Sequence, residues 1–93
     1  MIINFDNLKE LLRFNIKYYR YQNNLSQERL DELCSLSTRY LTDIERGLHD
    51  PTINKIEKIA KALNLEPYEL FQNPKRDIDL IKKINSSRQY NPK

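Results

Sequence analysis

The stretch SLSTRYLTDIERG, Ser35–Gly47, holds the only glycine of a 93-residue chain. Wound as a helix at about 100° per residue, it brings Leu41 and Ile44 together on one side, with Leu48 continuing that stripe. Arg39, Thr42, Asp43 and Arg46 fall on the opposite side, and Thr38 and Tyr40 flank them. Ser37 suits the N-cap, where its hydroxyl accepts from an orphan backbone N–H. Gly47 suits the position just past the last turn, where a left-handed residue closes a helix without a Cβ clash. The spacing therefore predicts a short helix anchored by two or three residues and open along one polar side.

Outward from this stretch the same periodicity repeats. A first helix spans about Asn7 to Asn23: Asn7 and Glu10 have capping spacing, and Leu8, Leu11, Leu12, Ile16 and Tyr19 recur every three or four residues. Asn24 follows, a residue that tolerates the left-handed conformation. Ser26 caps a second helix carrying Leu30, Leu33 and Cys34. A fourth helix begins after HDPT with Thr52 as cap, buries Ile53, Ile56, Ile59, Ala60 and Leu63, and ends near Asn64. PYELFQ, opening at Pro67, makes a fifth. The fold class is all-α, a five-helix bundle over residues 1–72, followed by a basic extension over residues 73–93.

In that extension Ile78, Leu80, Ile81 and Ile84 predict one more short helix, too short to persist unless it docks. Docking across a two-fold axis would make it a dimerisation element. Lys82, Lys83 and Arg88 supply only a general attraction to DNA.

Composition narrows the function. Apolar residues are 39% and charged residues 31%, the balance of a single globular domain. MIINFDNLKE lacks a signal-peptide pattern, no run is long enough for a membrane span, and the lone Cys34 suits a reducing compartment, so the chain is expected in the cytoplasm. Residues 1–71 carry ten Lys/Arg against eleven Asp/Glu, and residues 72–93 carry six against two. The net charge of +3 thus resides in the extension, and bulk charge does not argue for nucleic acid. His49, the lone histidine, has no ligand-spaced partner for a metal, and one glycine leaves no phosphate-cradling loop. The sequence implies no enzyme, cofactor or metal.

Two short helices joined by a three-residue turn, with Leu30 facing the second helix and Leu36 plugging the turn, describe a helix-turn-helix over Ser26–Gly47. LSQERL, STRYLTDIERG, DPTINKIEKIAKALNL and PYEL resemble the phage-repressor and Cro family of DNA-binding domains, the XRE-type regulators. TRYL is also similar to the recognition helices of restriction–modification controller proteins. The resemblance implies a sequence-specific regulator, a repressor acting as a homodimer on inverted repeats in double-stranded DNA. Gln27 would bind phosphate, Thr38, Arg39 and Asp43 would reach base edges, Tyr40 would lie at the DNA, and Arg46 to His49 would meet phosphate. Arg20 and Glu45 would form a partly buried ion pair between the first and third helices.

Within that frame, Arg39 suits bidentate donation to guanine, with a phosphate contact as the alternative. Asp43 suits orienting Arg39 or Arg46 more than accepting from cytosine. Ser37 and Thr42 complete the candidate surface. A phage repressor, a controller protein and an autoregulating antitoxin all fit. The rival is a protein-interaction module on the same fold, to which the near-neutral core and the acids Asp31 and Asp43 lend support. Asp31 and Ser35 depart from the alanine and glycine usual in the family. Asp31 must point outward or find a donor, and Ser35 must adopt a turn conformation that glycine takes freely.

Overall fold

The computed structural model describes residues 7–73. Four α-helices, α1 (Leu8–Gln22), α2 (Gln27–Leu33), α3 (Tyr40–Glu45) and α4 (Ile53–Ala62), are followed by a 3₁₀ helix over Pro67–Phe71. The expected fifth helix is thus a single tight turn, as suits five residues that begin at a proline. There is no strand among the described residues. The predicted extension helix lies outside them.

Side-chain caps start α1, α2 and α4 where the sequence places them: Asn7 accepts from the Glu10 N–H, Ser26 from Arg29 and Thr52 from Lys55. Every α-helix then closes the same way. Asn24, Ser35, Gly47 and Asn64 each turn left-handed, at φ 56°, 53°, 77° and 61°. The leucine after each, Leu25, Leu36, Leu48 or Leu65, returns its N–H to a carbonyl in the helix's last turn, at 2.8–3.0 Å. Three of these leucines pack on the core. Leu48 does not: it is 62% exposed, because the chain has already turned away from the stripe of Leu41 and Ile44. Leu8, Leu33 and Ile53, expected on apolar faces, are exposed as well, each standing in the first or last turn of its helix beyond the reach of the opposing element.

Serine at the second of these closures carries the cost that glycine avoids. Ser35→Gly is expected to stabilise the fold by about 0.5–1 kcal/mol, the left-handed penalty less the entropy glycine adds to the unfolded chain. Denaturant titration checks it; a destabilised variant would mean the Ser35 side chain contributes more than its backbone strain removes.

Ile16, Tyr18, Leu30, Leu41, Ile44, Ile59 and Leu70 form the solvent-free centre. Around it α1 packs on α3 and the 3₁₀ helix, α2 on α3 and α4, and α4 on the 3₁₀ helix. Inside this apolar set Asn15 is fully buried, and its amide Nδ2 donates to the carbonyls of Leu70 at 2.8 Å and Gln72 at 2.7 Å. Cys34 is a packed thiol over the Lys58 carbonyl, and burial pushes its pKa up to about 11, so it is not a reactive thiolate.

Candidate nucleic-acid interface

A helix of six residues does not persist alone in water. Leu41 and Ile44 hold α3 to the core, both fully buried, and charged groups on two other helices hold its ends. At the C-terminal end Arg20 of α1 grips Glu45 with two parallel bonds, Nε to Oε2 at 2.8 Å and Nη2 to Oε1 at 2.9 Å. The side chains of this pair are 2% and 4% exposed. The third guanidinium nitrogen donates to the Leu25 carbonyl at 2.9 Å, and the Tyr21 ring lies under the cation at 4.7 Å. All three guanidinium nitrogens are thereby bonded, and one face of the cation is covered.

From Glu45 a chain of hydrogen bonds runs to the surface. Gln27 Nε2 donates to Glu45 Oε1 at 3.1 Å, and Gln27 Oε1 accepts from the Thr42 hydroxyl at 2.8 Å. The sequence marks Gln27 and Thr42 as separate contacts for DNA; the structure joins them into one unit spanning α2 and α3. The first residue of α2 is thereby locked against the middle of α3.

The N-terminal end of α3 departs from expectation. Ser37 does not cap it. The residue at the cap is Arg39, left-handed at φ 72°, and no side chain of its own segment caps the helix. Thr38 and Arg39 accordingly project from the turn before α3, not from its polar face. In place of Ser37, Asp31 of α2 reaches across: its Oδ1 accepts from the Leu41 N–H at 3.1 Å. The departure from the family's alanine therefore finds its donor in the backbone of α3. Asp31 is 4% exposed, and burial raises its pKa. Backbone hydrogen bonding from Leu41 and Arg39 opposes that rise, while the carboxylates of Glu45 and Asp43 add to it.

A raised carboxyl pKa has a definite sign in stability. Above the pKa of the unfolded chain the folded state holds the Asp31 proton more tightly, so this group's contribution falls as pH rises through its folded pKa. Asp31→Asn keeps an acceptor and cannot titrate. Its stability relative to the parent should therefore grow between about pH 4 and neutrality. Denaturation at stepped pH reads that difference, and a difference flat across the range would mean that Asp31 titrates normally.

On the open side stand Ser37, Thr38, Arg39 and Arg46, exposed, with Thr42 and Asp43 half-buried beside them. Thr38, Arg39 and Thr42 border, with Gln27, a shallow concavity between α2 and α3 that Glu28, Asp31 and Glu32 also line. His49 is exposed in the following loop, where its ring lies 5.2 Å from that of Tyr40, and burial raises the Tyr40 pKa. Arg13 of α1, which sequence reasoning missed, lies against this loop: a Cβ on Gly47 would stand 3.4 Å from its guanidinium carbon. Asp50 is tied to Lys9 at 3.0 Å. No group of metal-ligating side chains occurs among the described residues. No helix among them is long and apolar enough to cross a membrane.

A helix-turn-helix family model matches residues 16–70, which contain the buried ion pair, both helices of the motif and all but the last residue of the 3₁₀ turn. The control protein C.BamHI of Bacillus amyloliquefaciens is 38% identical over 67 residues, 71% of this chain and 83% of that protein. Among solved structures, the restriction–modification controller protein C.AhdI from Aeromonas hydrophila superposes with a TM-score of 0.65 at 35% identity. That match covers 68% of this chain and 96% of the other. SinR, a master regulator for biofilm formation solved in complex with DNA, matches at a TM-score of 0.62 and 31% identity, over 66% of this chain and 98% of that one. An open α3 held by a buried ion pair and a family match across both features give one conclusion: the chain belongs to the XRE-type helix-turn-helix family and is a DNA-binding transcriptional regulator.

Proposed function

We propose that the chain is a repressor that binds an inverted-repeat operator as a homodimer, of the restriction–modification controller kind. One observation carries the reading: the buried residues of α3 are Leu41 and Ile44, while Thr42 and Asp43 lie half-buried on the helix and Arg39 and Arg46 stand exposed at its two ends. A helix so mounted fits a major groove about 12 Å wide. The likeness to C.BamHI and C.AhdI, a control protein and a controller protein by name, supports the controller role over the phage and antitoxin alternatives. In this reading Arg39 reads a base, Gln27 and Arg46 meet phosphate, His49 and Tyr40 stand at the groove edge, and residues 73–93 supply the dimer contact.

Selection from a randomised duplex library tests it. The full chain should return inverted half-sites about one helical turn apart, with affinity that drops steeply as salt rises. By sedimentation it should be a dimer that a chain ending at Gln72 does not form. Arg39→Ala should relax preference at one base position per half-site by about 1–3 kcal/mol. An unchanged preference with weakened binding would reduce Arg39 to a phosphate contact. No duplex binding at any salt would leave a protein-interaction module.

A further inference from the structure

The six-residue α3 lacks a side-chain cap from its own segment, and its leading residue, Arg39, holds a left-handed backbone that only glycine and a few short polar residues adopt readily. Such a conformation persists only where the surroundings over-determine it. The group that faces it is the carboxylate of Asp31, brought from the preceding helix and bonded to the Leu41 N–H. The Asp31 main chain is fixed independently, since its own carbonyl accepts from Leu36 at 2.8 Å in the closure of α2. The carboxylate is thus held on a rigid element and aimed at the first free amides of the next one.

We propose that Asp31 is a positioning residue for base readout: it caps the recognition helix from α2 and thereby sets the turn from which Thr38 and Arg39 project. Helix-turn-helix packing by Leu30, Leu36, Leu41 and Ile44 fixes where α3 lies, but apolar contacts are tolerant of small rotations and slides. A hydrogen bond between a buried acceptor and one particular amide is not. It specifies where the helix begins, and so which residues stand in the turn and which on the helix. With alanine at this position the amides of Arg39 and Leu41 would need another acceptor. Ser37 has the side chain and spacing for that role, and a helix restarted at Ser37 would swing Thr38 and Arg39 onto the helix surface. Asp31 touches no base in this arrangement. It acts through Arg39.

The inference rests on the reading that α3 enters the groove, and the test separates the two. Full-length parent, Asp31→Ala and Asp31→Asn are compared on two probes: a duplex obtained by selection with the parent chain, and an unrelated duplex of the same length. Amide exchange at Leu41 is followed in each free protein. Asp31→Ala should raise Leu41 exchange about tenfold and lower affinity for the selected duplex about tenfold, the scale of a lost helix cap. Affinity for the unrelated duplex should change less than about twofold, because phosphate contacts carry it. Asp31→Asn keeps an oxygen acceptor and should restore both readouts. If Asp31→Ala does not fold, the parent alone decides the capping: the Leu41 amide shift should follow the titration of the Asp31 carboxyl carbon. Unchanged Leu41 protection in Asp31→Ala, or a Leu41 amide indifferent to that titration, overturns the cap. Faster exchange with equal losses on both duplexes overturns the positioning role. A parent that selects no sequence overturns the groove reading while the Leu41 measurement still stands.

Discussion

Arg20→Met is expected to cost about 3–5 kcal/mol, a large share of what a domain of this size has to lose. The reason is what it leaves behind. Glu45 would keep its charge at 4% exposure with one neutral donor, Gln27 Nε2 at 3.1 Å. Glu45→Gln should cost less, because the stranded guanidinium keeps the Leu25 carbonyl, the Tyr21 ring and the new amide oxygen as partners. The double substitution should be clearly less damaging than the sum, since neither charge then remains in the interior. Chemical denaturation of the four proteins gives the coupling directly. Additive costs would show that the two side chains stabilise the fold separately, despite bonds of 2.8 and 2.9 Å.

The same pair shows how much of this molecule is legible in its sequence. Residues that act within one turn of their own position are readable: Asn7, Ser26 and Thr52 cap their helices, and Asn24, Gly47 and Asn64 turn left-handed at the helix ends, as their chemistry implies. The core face of α3 also follows from spacing, because Leu41 and Ile44 are the only large aliphatic residues available to it. What periodicity misreads is the ends of elements. Leu48 and Ile53 continue a stripe in projection, yet the chain has left the helix before Leu48 and has barely entered the next at Ile53.

Long-range polar bonds are a different matter. Neither the Asp31 carboxylate on the Leu41 amide nor the Gln27–Thr42 bond has a local signature, because each joins residues ten or more apart. The acid at position 31 could be marked as needing a donor, but which donor depends on how two helices cross. Ser37 does not cap α3 for that reason: a local preference for capping gives way to a buried acceptor from another helix.

Asn15 is the other residue of this kind, and its substitution should have the second-largest effect. It joins the middle of α1 to the last turn of the described chain, 55 and 57 positions away, by donating to the carbonyls of Leu70 and Gln72. The bonds leave no doubt about which way the amide faces: two carbonyl oxygens require the NH₂ group, and Oδ1 is left buried without a partner among the described residues. Asn15→Leu removes both donors and should cost about 2–3 kcal/mol, chiefly from the buried Leu70 carbonyl, with some return from deleting the orphaned oxygen. Asn15→Asp discriminates more sharply. A carboxylate there would face two carbonyl oxygens with nothing to donate, whereas a carboxylic acid could still donate once. Its folded pKa should therefore be raised, and its stability relative to the parent should worsen as pH rises from about 4 to neutrality. Equal stability of Asn15→Asp and the parent at neutral pH would mean that the 3₁₀ turn does not depend on this amide. A steep loss would identify Asn15 as the clasp that holds residues 67–72 to α1.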